Sequence, residues 1–190
     1  MYLIDSKPTP DDRHVCVIWL SRAGFVMGPE GRPVEAEPSP ASIVAEVAEK
    51  QLCARLFPPG RHCMSRLEIA EICSLREGLN TWPDMRGVIR YHESIVLATP
   101  VFDGRLPGIV TEALTKFGPY DLTGITALPV ITLADSTGGL GHALIADLSA
   151  ALPGATLVEP LALLGETPEE IEPQLTPRLD EMIQKGTVPF

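Results

Sequence analysis

The sequence predicts an α/β protein built on a doubly wound parallel sheet of five strands in the order 2-1-3-4-5, with helices on both faces. Three observations carry that expectation. The runs HVCVIWL at 14–20, SIVLATP at 94–100 and LPVITLA at 128–134 are almost continuously apolar, as strands covered on both faces are. Segments of helical periodicity follow them. Prolines and glycines gather at the joints between the two kinds of segment, where a βαβ chain changes direction. Right-handed crossovers leave few other topologies for such an alternation.

HVCVIWL is the expected first, central strand. After it, SRAGFVMGPEGRPVEAEPSP at 21–40 has no period and is expected to be a long loop, solvated or folded over a ligand as a lid. From Pro40 to about Phe57, Ile43, Val44, Val47, Leu52 and Leu56 recur at helical spacing, with Ser39 as N-cap and Pro40 as a first-turn proline. PPG at 58–60 closes that helix, and RLEIAEI at 66–72 alternates as a half-buried edge strand does. A short helix is expected from Pro83 to about Tyr91, showing Met85, Val88 and Ile89 on one side.

Beyond SIVLATP, the residues Ile109, Val110, Ala113, Leu114 and Phe117 form one apolar helix face, ended by GPYDLTG. LPVITLA leads into STGGLGH and a helix with Leu140, Leu144, Leu148 and Leu152 in register, and ATLVEP at 155–160 is the last strand. The tail spells a capping box at Thr167 and Glu170 and places Ile171, Leu175, Leu179, Met182 and Ile183 at helical spacing. Pro173 and Pro177 are expected to kink or restart that helix, with the kink before Pro177.

The chain of 190 residues, 45% hydrophobic and 21% charged, is long enough for a real core and is expected to form a single domain over 1–190. A net charge of −10 without clustered Lys or Arg excludes a nucleic-acid or anionic-membrane surface; an anionic ligand has to be held locally. MYLIDSKPTPDDRH has neither the positive region nor the apolar run of a signal peptide, so a cytoplasmic location is expected. Cys16, Cys53, Cys63 and Cys73 make no CxxC pair, and with His14 and His62 they give no zinc-type spacing, so no metal is expected.

In the predicted fold, ligands bind outside the carboxyl ends of the strands, near the switch point between strands 1 and 3. Three loops meet there: the one after HVCVIWL, ATPVFDGRLPG, and STGGLGH. In the second, Pro100 ends the strand and the residues after it are expected to offer successive N–H groups as a small nest. Gly104 permits a positive φ and removes a Cβ that would hold a ligand away.

Thr99-Pro100-Val101-Phe102-Asp103-Gly104, then Leu106-Pro107-Gly108 and a helix, resembles the TPVYNGSxPGxLK loop of the NADPH-dependent FMN reductases, a flavodoxin-like flavin reductase family. The resemblance implies that this loop runs along the isoalloxazine ring of FMN. It also implies that Ser136, Thr137, Gly138 and Gly139 form the second flavin loop, and that NADPH or NADH is the co-substrate. The implied activity is hydride transfer from the nicotinamide to flavin. Reduced FMN would go to a monooxygenase or other acceptor, with a homodimer or tetramer as the assembly. A Ser-rich start to the first helix after a spaced loop is similar to the branch that serves luciferase-like monooxygenases.

The family's Gly-Ser-x-Arg-x-x-Ser phosphate pattern is replaced here by Leu20-Ser21-Arg22 and the long loop, so Ser21, Arg22, Ser39 and Ser42 are the phosphate candidates. Phe102 stands for the family's Tyr, Asp103 for its Asn or His, and Thr111 for its Lys. No catalytic side chain is implied, because the chemistry belongs to the two rings.

Other readings remain open. A flavodoxin-like FMN carrier, or a flavin-free dimerising partner, suits the missing phosphate signature and Asp103. Gly139-Leu140-Gly141 after a strand, with Glu159 twenty residues beyond Gly139, resembles a dinucleotide fingerprint whose third glycine position is Leu144. His142, close to Asp135 and Ser136, suggests hydrolysis but lacks a GxSxG elbow.

Overall fold

A computed structural model describes residues 15–21, 25–27, 33–35, 39–56, 64–70, 89, 92–114, 122–133, 140–164 and 167–185. The strands are β1 (Val15–Ser21), β2 (Phe25–Met27), β3 (Pro33–Glu35), β4 (Met64–Ala70), β5 (Ser94–Pro100), β6 (Thr126–Thr132), β7 (Thr156–Leu157) and β8 (Leu161–Leu163). The helices are α1 (Pro40–Leu56), α2 (Gly108–Leu114), α3 (His142–Ala151) and α4 (Pro168–Lys185). The main sheet is parallel and runs β4-β1-β5-β6-β7, with β8 also pairing β6. Among the described residues no helix is long and apolar enough to cross a membrane.

The apolar runs become central strands because both faces are covered. On β1, Cys16, Ile18 and Leu20 join Ile95, Leu97 and Ile131 in a core closed by Val110 and Leu114 of α2 and Leu144 and Leu148 of α3. The alternate residues Val15, Val17 and Trp19 face the other way, with Val96, Leu128 and Val130, against Val44, Ala48 and Leu52 of α1 and the apolar stripe of α4. This is period-two alternation with apolar residues on both sides, so the sequence reads as a continuous run. Cys16 lies wholly inside, and burial pushes its thiol up to about 12.

Several expectations are corrected. The segment 21–40 is not free of structure: Phe25 pairs with Glu35 and Met27 with Pro33 in a two-stranded antiparallel ribbon. Three residues of Phe-Val-Met are too few to show a strand period in the sequence. The second strand of the sheet is 64–70 rather than 66–72, because all seven residues of β1 pair with it from Val15–Met64 to Ser21–Ala70. Similarly β6 starts at Thr126, two residues before the expected start.

The expected last strand at 155–160 is two short pieces. Thr126 and Ala127 pair with Thr156 and Leu157, whereas Val130 pairs with Leu161, so three residues on one side stand against two on the other. Pro160 lies in that gap, where it has no N–H to give the ladder. Leu140 precedes α3, which begins at His142. The expected 83–91 helix lies outside the described residues except at Ile89, which is buried, and Phe117 also lies outside them.

The tail is one helix that runs through both prolines. Ile171, Leu175, Leu179 and Met182 are each 0% exposed, and burying such side chains is worth roughly 1.5–3 kcal/mol apiece. An interior proline costs about 3 kcal/mol when it breaks packing and a hydrogen bond together. Here both prolines are on the exposed side, so the carbonyls they leave unpartnered in the helix can turn to water. The start follows the capping-box expectation in one arm, the Thr167 N–H donating to the Glu170 carboxylate at 3.3 Å.

Candidate functional site

β1 is where the winding reverses: the chain leaves it for β4 on one side and then returns to β5 on the other. At such a point the crossovers diverge and open a crevice at the carboxyl ends of the strands. The register puts Trp19 beside Ala98 and Pro100 beside Thr132, so the ends of β1, β5 and β6 form one edge.

The start of α1 forms one wall. Ser39 is the N-cap, its carbonyl accepting from the N–H groups of Ser42 and Ile43 at 2.9 and 3.1 Å. The Ser39 hydroxyl accepts from the Ser42 N–H at 3.2 Å and donates to the Leu20 carbonyl at 3.3 Å, which pins the helix start to the end of β1. The Ser42 hydroxyl donates to the Ser39 carbonyl at 2.9 Å, and the two hydroxyl oxygens are 2.8 Å apart. Pro40 brings no N–H, and no acidic residue lies in the first turn to oppose the positive helix end. Among the described residues here, an anion would draw on the Ala41 N–H and on the two hydroxyls, each of which must first turn from the carbonyl it now bonds.

The β5–α2 loop forms the other wall. Phe102 and Arg105 exchange both backbone hydrogen bonds, at 3.1 and 2.9 Å, and between them Asp103 and Gly104 have φ of 50° and 71°. Two consecutive positive φ values closed by such a pair make a type I′ turn, and Asp-Gly is the sequence that turn favours. The expected nest of successive N–H groups is thus corrected, since the Phe102 N–H is given to the Arg105 carbonyl and the Arg105 N–H to the Phe102 carbonyl. Phe102 is 50% exposed and Asp103 is exposed, while Thr99 is fully buried and donates through its hydroxyl to the Pro100 carbonyl at 3.0 Å.

The far side of the turn is tied to α3. Arg105 donates from Nε and Nη2 to the two carboxylate oxygens of Asp147 at 2.6 and 2.7 Å, and the Leu106 N–H reaches the same carboxylate at 3.2 Å. The Arg105 guanidinium, with help from that N–H, holds the Asp147 carboxyl below the usual carboxylate range. Pro107 then caps α2, its carbonyl accepting from Val110 and Thr111.

Ser39, Ser42 and Thr99 to Gly104 therefore lie along one edge, as expected of a site. Ser21 ends β1 at that edge. Arg22, Ser136, Thr137, Gly138 and Gly139 lie outside the described residues. Sequence reasoning missed Arg105 and Asp147; the available signal was Asp147 as the one acidic residue in HALIADLSAA. The dinucleotide reading loses ground, because Leu144 is wholly buried and the Glu159 carboxylate is engaged by Arg178 at 2.7 Å. His142 is the exposed first residue of α3.

The parallel sheet order and the helices on both of its faces define the flavodoxin-like fold. Among solved structures, an NADH:FMN oxidoreductase in its apo form is similar at a TM-score of 0.64 and 16% identity, over 93% of this chain and 91% of that one. An oxidoreductase from Corynebacterium diphtheriae is similar at 0.58 and 18%, over 91% and 97%. General stress protein 14 from Treponema denticola, in complex with FMN, is similar at 0.55 and 14%, over 90% and 98%. No family model matches the chain, and no curated protein matches it by sequence. At these identities the likeness establishes the fold.

Proposed function

We propose that this protein binds FMN at the edge formed by β1 and β5 and acts as an NAD(P)H-dependent FMN reductase, a single-domain cytoplasmic homo-oligomer that supplies reduced flavin to a monooxygenase or another acceptor. The carrying observation is the type I′ turn at 102–105 beside a serine-capped helix start, both at the switch point. The residues present suit FMN. The backbone of Thr99 to Gly104 offers a flat edge to the ring, and Ser39, Ser42 and the positive end of α1 offer donors to the phosphate. Bound FMN supplies the hydride-accepting ring. The protein aligns the two rings and shields them from water, which requires no acid or base of its own. Solved structures described as an NADH:FMN oxidoreductase and as an FMN complex support this reading.

A second reading, a flavin-free dimerising partner, is favoured by two features that weaken an anion site. The Ser39 and Ser42 hydroxyls are already bonded to each other's backbone or to β1, and Asp103 adds a negative charge at the turn. Flavin titration followed by absorbance, together with FMN-dependent oxidation of NADPH and NADH, separates the readings. Binding with turnover supports the reductase, binding without turnover makes the protein an FMN carrier, and a protein that ignores FMN overturns the reductase in favour of the flavin-free partner.

A further inference from the structure

We infer that Asp147 is a positioning residue for the flavin ring, holding the β5–α2 turn in its ring-facing shape through Arg105 and the Leu106 N–H. This rests on the reading of 99–104 as the ring site. The turn adds no rung to the sheet: Pro100 ends β5, the backbone bonds of Phe102 and Arg105 are made to each other, and helical hydrogen bonding begins at the Pro107 carbonyl. Between those prolines, Asp147 receives three hydrogen bonds, two from the Arg105 guanidinium and one from the Leu106 backbone.

Arg105 is thereby held twice. Its main chain closes the turn on Phe102, and its side chain is gripped in a two-pronged arrangement that fixes the guanidinium plane as well as its distance. The grip has a firm base, because Leu106 and Leu148, the sequence neighbours of the two partners, are buried in the same core. The side chain of Asp147 is 16% exposed and that of Arg105 62%, so the carboxylate is sheltered while the guanidinium covers it. A loop fixed before the ligand arrives does not have to be ordered by it, and affinity rises accordingly.

Arg105 offers an alternative use, as a direct ligand for an anionic flavin or nucleotide in a chain of net charge −10. The two roles differ in sign. If Asp147 only competes for Arg105, removing the carboxylate frees the cation and strengthens anion binding. If Asp147 positions the turn, removing either partner weakens ring binding.

The test is fluorescence titration of wild type, Asp147→Ala, Arg105→Gln and the double variant with riboflavin, which has the ring without the phosphate, and with FMN. Urea unfolding of each variant confirms that it is folded. The expected result is a loss of about threefold to tenfold in affinity, equal for both flavins, in each single variant. The double variant should be weakened no more than the weaker single, since the pair acts as one unit. Wild-type binding with an unchanged Asp147→Ala overturns the inference alone, as does tighter FMN binding by Asp147→Ala. Wild-type protein that binds neither flavin overturns the ring-site reading and this inference together.

Discussion

The hydroxyl of Ser39 is hydrogen-bonded to the carbonyl of Leu20 across 19 positions of chain, so the start of α1 is anchored at the carboxyl end of β1 whatever path the intervening residues take. A long insertion between a first strand and a first helix would ordinarily free the helix start. Here one serine both caps the helix and ties it to the sheet.

Replacing Ser39 with alanine removes the side-chain acceptor for the Ser42 N–H and the tie to β1 together. The expected cost is about 1 kcal/mol of stability, the usual value of an N-cap, measured as a lower urea midpoint. Ser42→Ala keeps the Ser39 cap and should lose less stability. It should weaken FMN more than riboflavin; equal weakening of the two would remove Ser42 from the phosphate site.

At Gly104 an added Cβ would meet nothing within 4 Å, but φ is +71°, so the penalty for a side chain is conformational rather than steric. Gly104→Val should therefore reshape the turn at a cost of about 1–3 kcal/mol and weaken flavin binding, with the far-UV spectrum unchanged. Gly104→Asn, which tolerates positive φ, should bind flavin nearly as wild type does. Unchanged affinity in the valine variant would take this loop out of the site.

The acid limb of stability is expected to follow two paired carboxylates. Glu181 is held below the usual range by Lys185 and then Arg178, and Asp147 by Arg105. A carboxylate whose folded pKa is depressed stabilises the fold fully above its unfolded pKa and loses that contribution as pH falls through the folded value. Stability should then decline on acidification below roughly pH 5. Glu181→Gln should flatten that decline and lower stability slightly at neutral pH, because its partners are partly exposed. Urea midpoints between pH 3 and pH 7 measure both; parallel curves for the variant and wild type would contradict it.

The parts of the fold that follow from local chemistry were readable in the sequence. Ser39-Pro40 at a helix start, the apolar runs of β1, β5 and β6, and the Leu144–Leu148 face each depend on residues a few positions apart. Asp103-Gly104 could have been read as a type I′ pair, and then the outward nest would not have been expected. The β2–β3 ribbon was hidden because three-residue strands carry no period. The continuity of α4 was hidden because a proline's cost depends on which side of the helix faces water, and that is set by the sheet. Arg105 and Asp147 are 42 positions apart and meet only because α2 and α3 cover the same face of the sheet. No spacing rule connects them.

The break between β7 and β8 bears on how the molecule behaves in company. A parallel sheet that ends in a long, straight strand offers a foreign chain a row of free backbone groups to pair with, the usual seed of aggregation. On this side the border is two residues, a jog around Pro160, and three residues more, with Val158 N–H already given to Ala127. An incoming strand would find no continuous ladder to extend, so the irregularity that obscured the last strand in the sequence also protects that rim of the sheet from self-association.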